Sequence, residues 1–165
     1  MPPDDALETE IAAGQMLSDA GMHDQAIEHF RRLEHRLPRE PRVQFALAEA
    51  LAAADHEADA VPVYASAIKL RPTGELLARS YLGLGSALRN LARHQEALEV
   101  LSAGSRRFPE HAPLRAFLAL ATADTGKPRE AVIALVEDLL DHHDMGTYAD
   151  PLRRALAQVK KAPRP

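Results

Sequence analysis

A chain of 165 residues is long enough for one domain with a buried core, and a content of 46% hydrophobic but only 4% aromatic residues favours close-packed helices over sheets. The lack of cysteine excludes disulfides, thiolate zinc sites and a cysteine nucleophile. The formal net charge of −4 divides into −6 over residues 1–74 and +2 over residues 75–165, which is too little positive charge for general binding to nucleic acid.

The sequence shows no pattern typical of export or of membrane insertion. Its start, MPPDDALETE, is acidic and has no apolar stretch like that of a secretory signal. Nowhere does an uninterrupted run of about 18 apolar residues occur. Because a chain without cysteine also suits the reducing cytosol, we expect a cytoplasmic protein.

Apolar residues recur with helical spacing along most of the chain, and glycine and proline separate the segments. Gly21 and Gly126 fall between the two helices of their pairs, where a residue with a positive φ is often needed. A further helix is expected near the C-terminus, with Asp150 as its N-cap and Pro151 as its first residue. The eight helices predicted before it cover residues 7–20, 24–37, 41–54, 57–70, 75–91, 94–107, 112–125 and 128–141.

Small residues recur 12 positions apart within pairs of these helices, and a proline usually follows after 12 more. The sets are Gly14, Ala26 and Pro38; Ala48, Ala60 and Pro72; Gly85, Ala97 and Pro109; and Ala119, Ala131 and His143. The period is 34 residues, with three extra residues between the second and third copies, near Thr73 to Leu77. We interpret the small residues as points of close approach between two antiparallel helices, so that Gly14 would pack against Ala26 and Gly85 against Ala97.

Two further features accompany this repeat. Large residues lie one helical turn beyond the second small residue, on the same buried face; they are Phe30, Tyr64, Leu101 and Leu135. Gly83 is not at the small-residue position, although glycine destabilises a helix by about 1 kcal/mol relative to alanine. We expect it to make room for a ligand or for a neighbouring helix.

The copies contain a small residue, a second small residue, an aromatic residue or leucine, and then a proline. This order resembles the signature of the tetratricopeptide repeat family. Residues 82–140 are particularly similar to a bacterial branch of that family whose role is undefined. The resemblance covers nearly the whole chain and implies one all-α domain, 1–165, built as a right-handed α-solenoid. The implied parts are about four helix-turn-helix repeats at 7–40, 41–74, 78–111 and 112–145, followed by a C-terminal capping helix at about 150–161.

The same resemblance implies a binding surface. In the family, the first helix of each repeat lines a concave groove that holds an extended peptide or a partner helix. Apolar anchors and side chains that bond to the main chain or charges of a ligand alternate there. The expected groove residues are Gln15, Arg42, Phe45, Glu49, Arg79, Leu82, Ser86, Arg89 and Asn90. Around them the resemblance places Glu8, Ile11, Ser18, Asp19, Ala116, Leu120 and Asp124.

One specificity known in the family is not expected here. Some relatives hold the terminal carboxylate of heat-shock chaperones with a lysine, two asparagines, a second lysine and an arginine. The corresponding positions of this chain are Ile11, Gln15, Ala46, Arg79 and Gly83. Only Arg79 keeps the charge of the family's residue.

The sequence offers little for catalysis or for metal binding. None of its six serines lies on a strand-to-helix elbow, and the segment LGLGSALR lacks the rest of a phosphate-binding pattern. His142, His143 and Asp144 form the densest group of possible metal ligands, but no third ligand at a telling spacing accompanies the two histidines. We expect no catalytic residues, no cofactor and no metal, and a metal at the His142–His143 loop stays an alternative.

We therefore interpret the chain as a non-enzymatic protein–protein interaction module, an adaptor or scaffold that binds a peptide or a partner segment in the concave groove. Its expected partner is a protein or peptide, and neither nucleic acid nor a membrane is expected. The alternative is a homo-oligomerising structural protein with the groove unused, in which the insertion near residue 75 or the last helix forms a homodimer.

Overall fold

The computed structural model describes residues 3–142 together with residues 153, 154, 156, 157, 160 and 161, and helices are its regular elements throughout that part of the chain. In order they are α1 (Pro3–Asp19), α2 (His23–Arg36), α3 (Pro41–Ala53), α4 (Glu57–Lys69), α5 (Gly74–Asn90), α6 (His94–Arg107), α7 (Ala112–Asp124) and α8 (Pro128–His142). All eight helices predicted before the C-terminal segment are confirmed, and every end agrees within one residue except the earlier start of α1. Of the expected capping helix at about 150–161, half of the residues are described, and those six are helical.

The helices stack as four pairs. Three-residue turns join the two helices of a pair, four-residue connections join successive pairs, and each helix packs against the next along the chain. The odd-numbered helices also pack on one another, α1 on α3, α3 on α5 and α5 on α7. Among the described residues, no two even-numbered helices bring Cα atoms within 8 Å of each other. The stack therefore curves, with the odd-numbered helices on its concave side.

The turns inside the four pairs share one backbone conformation. The middle residue of each turn has a positive φ, 74° at Gly21, 59° at Asp55, 57° at Ala92 and 81° at Gly126. Glycine adopts this region freely, whereas a residue with a Cβ atom is destabilised there by about 1–2 kcal/mol. The expected positive φ at Gly21 and Gly126 is confirmed, and the same conformation strains the backbone at Asp55 and Ala92.

The small residues allow close packing, and the atoms nearest to two of the glycines belong to large side chains of the paired helix. A Cβ atom at Gly14 would lie 2.4 Å from Cζ of Phe30, and one at Gly85 would lie 2.4 Å from Cγ of Leu101. The glycine thus makes room for the large residue one turn beyond the alanine. The reason is that the long side chain reaches across the pair, while alanine lets the two backbones approach.

Gly83 makes room for a neighbouring helix. A Cβ atom at this position would lie 2.5 Å from Cε1 and from Cζ of Tyr64, which reaches across from α4. Tyr64 is almost fully buried, and its ring also packs edge to face with Phe45 of α3, at 6.1 Å between centroids. Of the two explanations for Gly83, the structure therefore supports the neighbouring helix.

The three inserted residues lengthen α5. Gly85 lies 11 residues after the first residue of α5, whereas Ala48 and Ala119 each lie seven residues after the first residue of their helices. The insertion therefore adds about one turn to the N-terminal end of α5. Within the described part of the chain, no helix combines the length and the apolar character needed to cross a bilayer.

Candidate functional site

The predicted groove residues lie on three of the odd-numbered helices, which form the concave side of the stack. They are Gln15 on α1, then Arg42, Phe45 and Glu49 on α3, and Arg79, Leu82, Ser86, Arg89 and Asn90 on α5. The structure brings some of them into direct contact. Others, such as Asn90, contact residues that sequence reasoning did not connect with them.

Ion pairs join the odd-numbered helices across the concave side. Arg42 on α3 donates to Glu8 on α1 at 2.8 Å. Arg79 on α5 donates to Glu49 on α3, also at 2.8 Å, and Arg89 on α5 donates to Asp124 on α7 at 2.6 Å. We call these three contacts the inter-repeat ion pairs. Since each predicted groove arginine has an acidic partner inside the protein, none presents an uncompensated charge to a ligand.

Aromatic rings lie beneath two of these arginines. The guanidinium carbon of Arg79 lies 4.7 Å from the ring centroid of Phe45, and that of Arg89 lies 5.8 Å from the ring centroid of Phe117. Both distances are within the range of cation–π attraction. Phe45 is only 5% exposed, so it serves as a covered floor beneath Arg79 rather than as the free apolar anchor we expected.

The remaining predicted residues occupy the middle and one end of the surface. Leu82 and Ser86 are half-buried on α5. The side-chain amide of Asn90, at the end of the same helix, donates to Glu57 at the start of α4 at 2.5 Å. Asn90 therefore fastens the end of the groove to the neighbouring helix.

A cavity of about 340 Å³ opens between α1 and α3. We call it the α1–α3 cavity. Phe30 and Tyr64, both nearly fully buried, contribute aromatic surface to it. Its other lining residues are Gln15, Ser18, Asp19, Ala46, Glu49, Ala50 and Ala53. The cavity thus combines aromatic and alanine surface with amide, hydroxyl and carboxylate groups, and no basic side chain lines it.

Two titratable groups at this cavity are perturbed by their surroundings. Burial raises the pKa of Glu49, and the charge and hydrogen bond of Arg79 oppose that change. Burial also raises the pKa of Tyr64 above its ordinary value of about 10. The charges of Glu49 and Glu57 add to the shift of Tyr64. Its phenol is therefore neutral at physiological pH and can still take part in hydrogen bonds.

The possible metal ligands do not assemble in the part of the chain that the structure describes. Over those residues, no group of three or more histidine, aspartate or glutamate side chains could hold a metal ion. His142 ends α8, with its Nδ1 atom 3.3 Å from a carboxylate oxygen of Asp138. His143 and Asp144, the other two members of the group of possible metal ligands, lie outside the described residues.

A family model of the tetratrico peptide repeat matches residues 41–155. The chain belongs to the tetratricopeptide repeat family. The match begins at α3 and extends through α8. The four helix pairs, with their concave layer of first helices, are accordingly the tetratricopeptide repeat solenoid that the sequence predicts.

Solved tetratricopeptide repeat structures share this fold. A putative kinesin light chain with TPR-like repeats from Podosopora anserina has a TM-score of 0.73 and 18% identity, over 98% of this chain and 88% of that one. The crystal structure of MamA protein has a TM-score of 0.70 and 21% identity, over 96% and 79%. A thermophilic TPR protein of Thermus thermophilus, TTC0263, has a TM-score of 0.67 and 23% identity, over 92% and 80%. A search of curated proteins finds no match to this chain.

Sequence reasoning placed arginines and acids on the groove but missed their pairing. Glu8 and Arg42 are 34 residues apart, and Arg89 and Asp124 are 35 apart, which is about one repeat. The two members of each pair therefore lie at almost equivalent positions of successive first helices. A search for opposite charges separated by one period would have found both pairs.

Proposed function

We propose that this chain is an adaptor or scaffold that binds an extended segment of a partner protein along the concave side of α1, α3, α5 and α7. The tetratricopeptide repeat fold is that of a protein–protein interaction module. The observation that supports this site most directly is the α1–α3 cavity, which opens on the concave layer and presents polar side chains there.

The surface has the composition that a bound segment needs. Ser86 and Leu82 on α5 are partly exposed between the inter-repeat ion pairs, and Leu120 on α7 is an exposed apolar side chain. An extended peptide gains affinity from hydrogen bonds to its main chain and specificity from pockets for single side chains. The half-buried polar groups suit the first role and the cavity suits the second. We expect no catalysis at this surface.

Photo-crosslinking in the native cell tests this proposal. A photoreactive amino acid replaces Ser86 on the concave side, and the matched control replaces Gln95, an exposed residue of α6 on the outer layer. We expect a crosslinked partner from position 86 and a much weaker product from position 95. Equal products from both positions, or a product from position 95 alone, would contradict the concave site.

A second candidate function is self-association through α8. Val132 and Leu139 are 52% and 41% exposed, and they lie seven residues apart, which places them on one face of the helix. A pair of exposed apolar side chains on one face is typical of an interface. Sedimentation velocity over a range of concentrations tests it: a dimer that V132E and L139E abolish supports self-association, and a monomer throughout excludes it.

A further inference from the structure

We propose that the α1–α3 cavity binds a basic side chain, the guanidinium of arginine or the ammonium of lysine, carried by the partner segment. This inference rests on the proposed function of the concave side. It names the chemistry of the residue that anchors the partner. The expected ligand is basic, whereas free arginines in the groove would have favoured an acidic ligand.

The charge of the cavity is the first argument. Asp19 and Glu49 supply two carboxylates to its lining. Asp19 forms no ion pair with any part of the chain that the structure describes. Glu49 accepts from Arg79 through Oε1, and its Oε2 atom accepts no hydrogen bond among the described residues. Two acceptor positions therefore remain for a cation.

Unpartnered polar groups are the second argument. Tyr64 is only 4% exposed; its hydroxyl bonds to no described residue and still touches solvent. Because this hydroxyl keeps only slight contact with water, a polar group brought by a ligand can gain affinity by bonding to it. The side chains of Gln15 and Ser18 also make no hydrogen bond to a described residue. A guanidinium or ammonium group carries several N–H donors, for which these side chains are possible acceptors.

The aromatic surface is the third argument. The rings of Phe30 and Tyr64 contribute to the cavity lining, and three alanines provide further apolar surface. Lysine and arginine bury an apolar stem while their charged end finds acceptors, and aromatic rings attract that charge. A volume of about 340 Å³ lies near the lower end of the range for ligand pockets, about 300–1,000 Å³. It suits one side chain better than a folded element.

The inter-repeat ion pairs are the fourth argument. They neutralise Arg42, Arg79 and Arg89, so an acidic ligand would have to compete with Glu8, Glu49 and Asp124. A basic ligand can instead share Glu49 with Arg79, through the Oε2 atom that Arg79 leaves free. Burial also raises the pKa of Glu49, and a cation bound beside it would favour its ionised form.

Short alanine peptides that differ only in one central residue provide the test. The central residue is arginine, glutamate or the uncharged norleucine, and binding to the full chain is followed through the backbone amide signals in NMR. We expect the arginine peptide to shift the signals of Gln15, Ser18 and Asp19, and the other two peptides to bind at least about fivefold more weakly. Equal affinity of the three peptides would overturn the proposal.

Variants that remove charge without changing shape complete the test. We expect D19N and E49Q each to weaken binding of the arginine peptide about threefold, and the double variant about tenfold. E28Q is the matched control because Glu28 is an exposed acid of α2 whose contact with Arg32 is 3.8 Å long; it should leave the affinity unchanged. An unchanged affinity of the double variant, with a normal unfolding curve, would contradict the assignment.

The failure of this inference can be told apart from failure of the proposed function. If all three peptides shift signals of α3 and α5 on the concave side with equal affinity, the proposed binding surface is supported and the basic anchor is refuted. If no peptide shifts any concave-side signal at millimolar concentration, the basic anchor also fails. The crosslinking comparison of positions 86 and 95 judges the groove independently of these peptides.

Discussion

Arg79 on α5 donates to Glu49 on α3 across the boundary between two repeats, with 2.8 Å between Nη2 and Oε1. The side chains are 46% and 39% exposed, so water screens their attraction. Arg89 and Asp124 form the corresponding contact between α5 and α7, and their side chains are only 20% and 28% exposed. The inter-repeat ion pairs should therefore differ in strength along the stack.

We predict that a double-mutant cycle measures this difference. The variants R79Q, E49Q and their combination should give a coupling free energy of about 0.5 kcal/mol. The corresponding cycle with R89Q and D124N should give about 1 kcal/mol, because that pair is better shielded. Urea unfolding at low and high salt is the measurement, and both couplings should fall with salt. Equal couplings, or none at either pair, would contradict the prediction.

The strained turn at Ala92 offers a stabilising substitution. With φ at 57°, A92G should relieve about 1–2 kcal/mol of backbone strain and lose about 0.5–1 kcal/mol to the entropy of the unfolded chain. We predict a net gain of about 0.5 kcal/mol in thermal or urea unfolding. The control is A65G, in the exposed interior of α4, which should lose about 1 kcal/mol. A loss of stability in A92G would refute the argument from strain.

The packing of Gly83 against Tyr64 predicts a large effect of a single methyl group. Because the Cβ atom of alanine would lie 2.5 Å from a buried ring, G83A should destabilise the protein by about 2 kcal/mol. S86A, on the same helix, should change stability by less than about 0.5 kcal/mol.

Shortening the tyrosine side chain checks the cause. Y64L removes the part of the ring that collides with the new Cβ atom, so G83A should be less destabilising in the Y64L background than in the natural one. Additive effects of the two substitutions would mean that Gly83 is needed for another reason.

Alkaline unfolding reports on Tyr64. Its folded-state pKa is raised, mainly by burial, so the neutral phenol favours the folded chain. This contribution is complete below the ordinary pKa of about 10 and is lost as the pH rises towards the folded-state value, at up to about 1.4 kcal/mol per pH unit. We predict that stability falls above about pH 10 and falls less in Y64F. Urea unfolding at a series of pH values checks this, with Y81F as the control that keeps the loss.

The fold followed from the sequence because its signals are local or periodic. Gly21 and Gly126 marked turns, and small residues 12 positions apart marked the helix pairs. These signals depend on backbone geometry, which neighbouring residues determine. The helix ends were therefore predictable to about one residue.

The contacts of the site followed less well. Whether Arg79 faces a ligand or Glu49 depends on the register between two helices and on the rotamers of two long side chains. The purpose of Gly83 depended in the same way on the direction in which the ring of Tyr64 points. Helix register and side-chain rotamers depend on tertiary packing between residues that are far apart in the chain.

Successive repeats are joined in two ways among the residues described: odd-numbered helices pack on one another, and each even-numbered helix packs on the odd-numbered helix that follows it, whereas no two even-numbered helices touch. The outer helices can therefore spread or close without breaking contacts among themselves, and bending is resisted by the inner layer and by its packing against the outer helices. The inter-repeat ion pairs lie in the inner layer, where they link successive repeats. A segment held along the inner edge would then stiffen the whole solenoid, including the outer surface that it never touches.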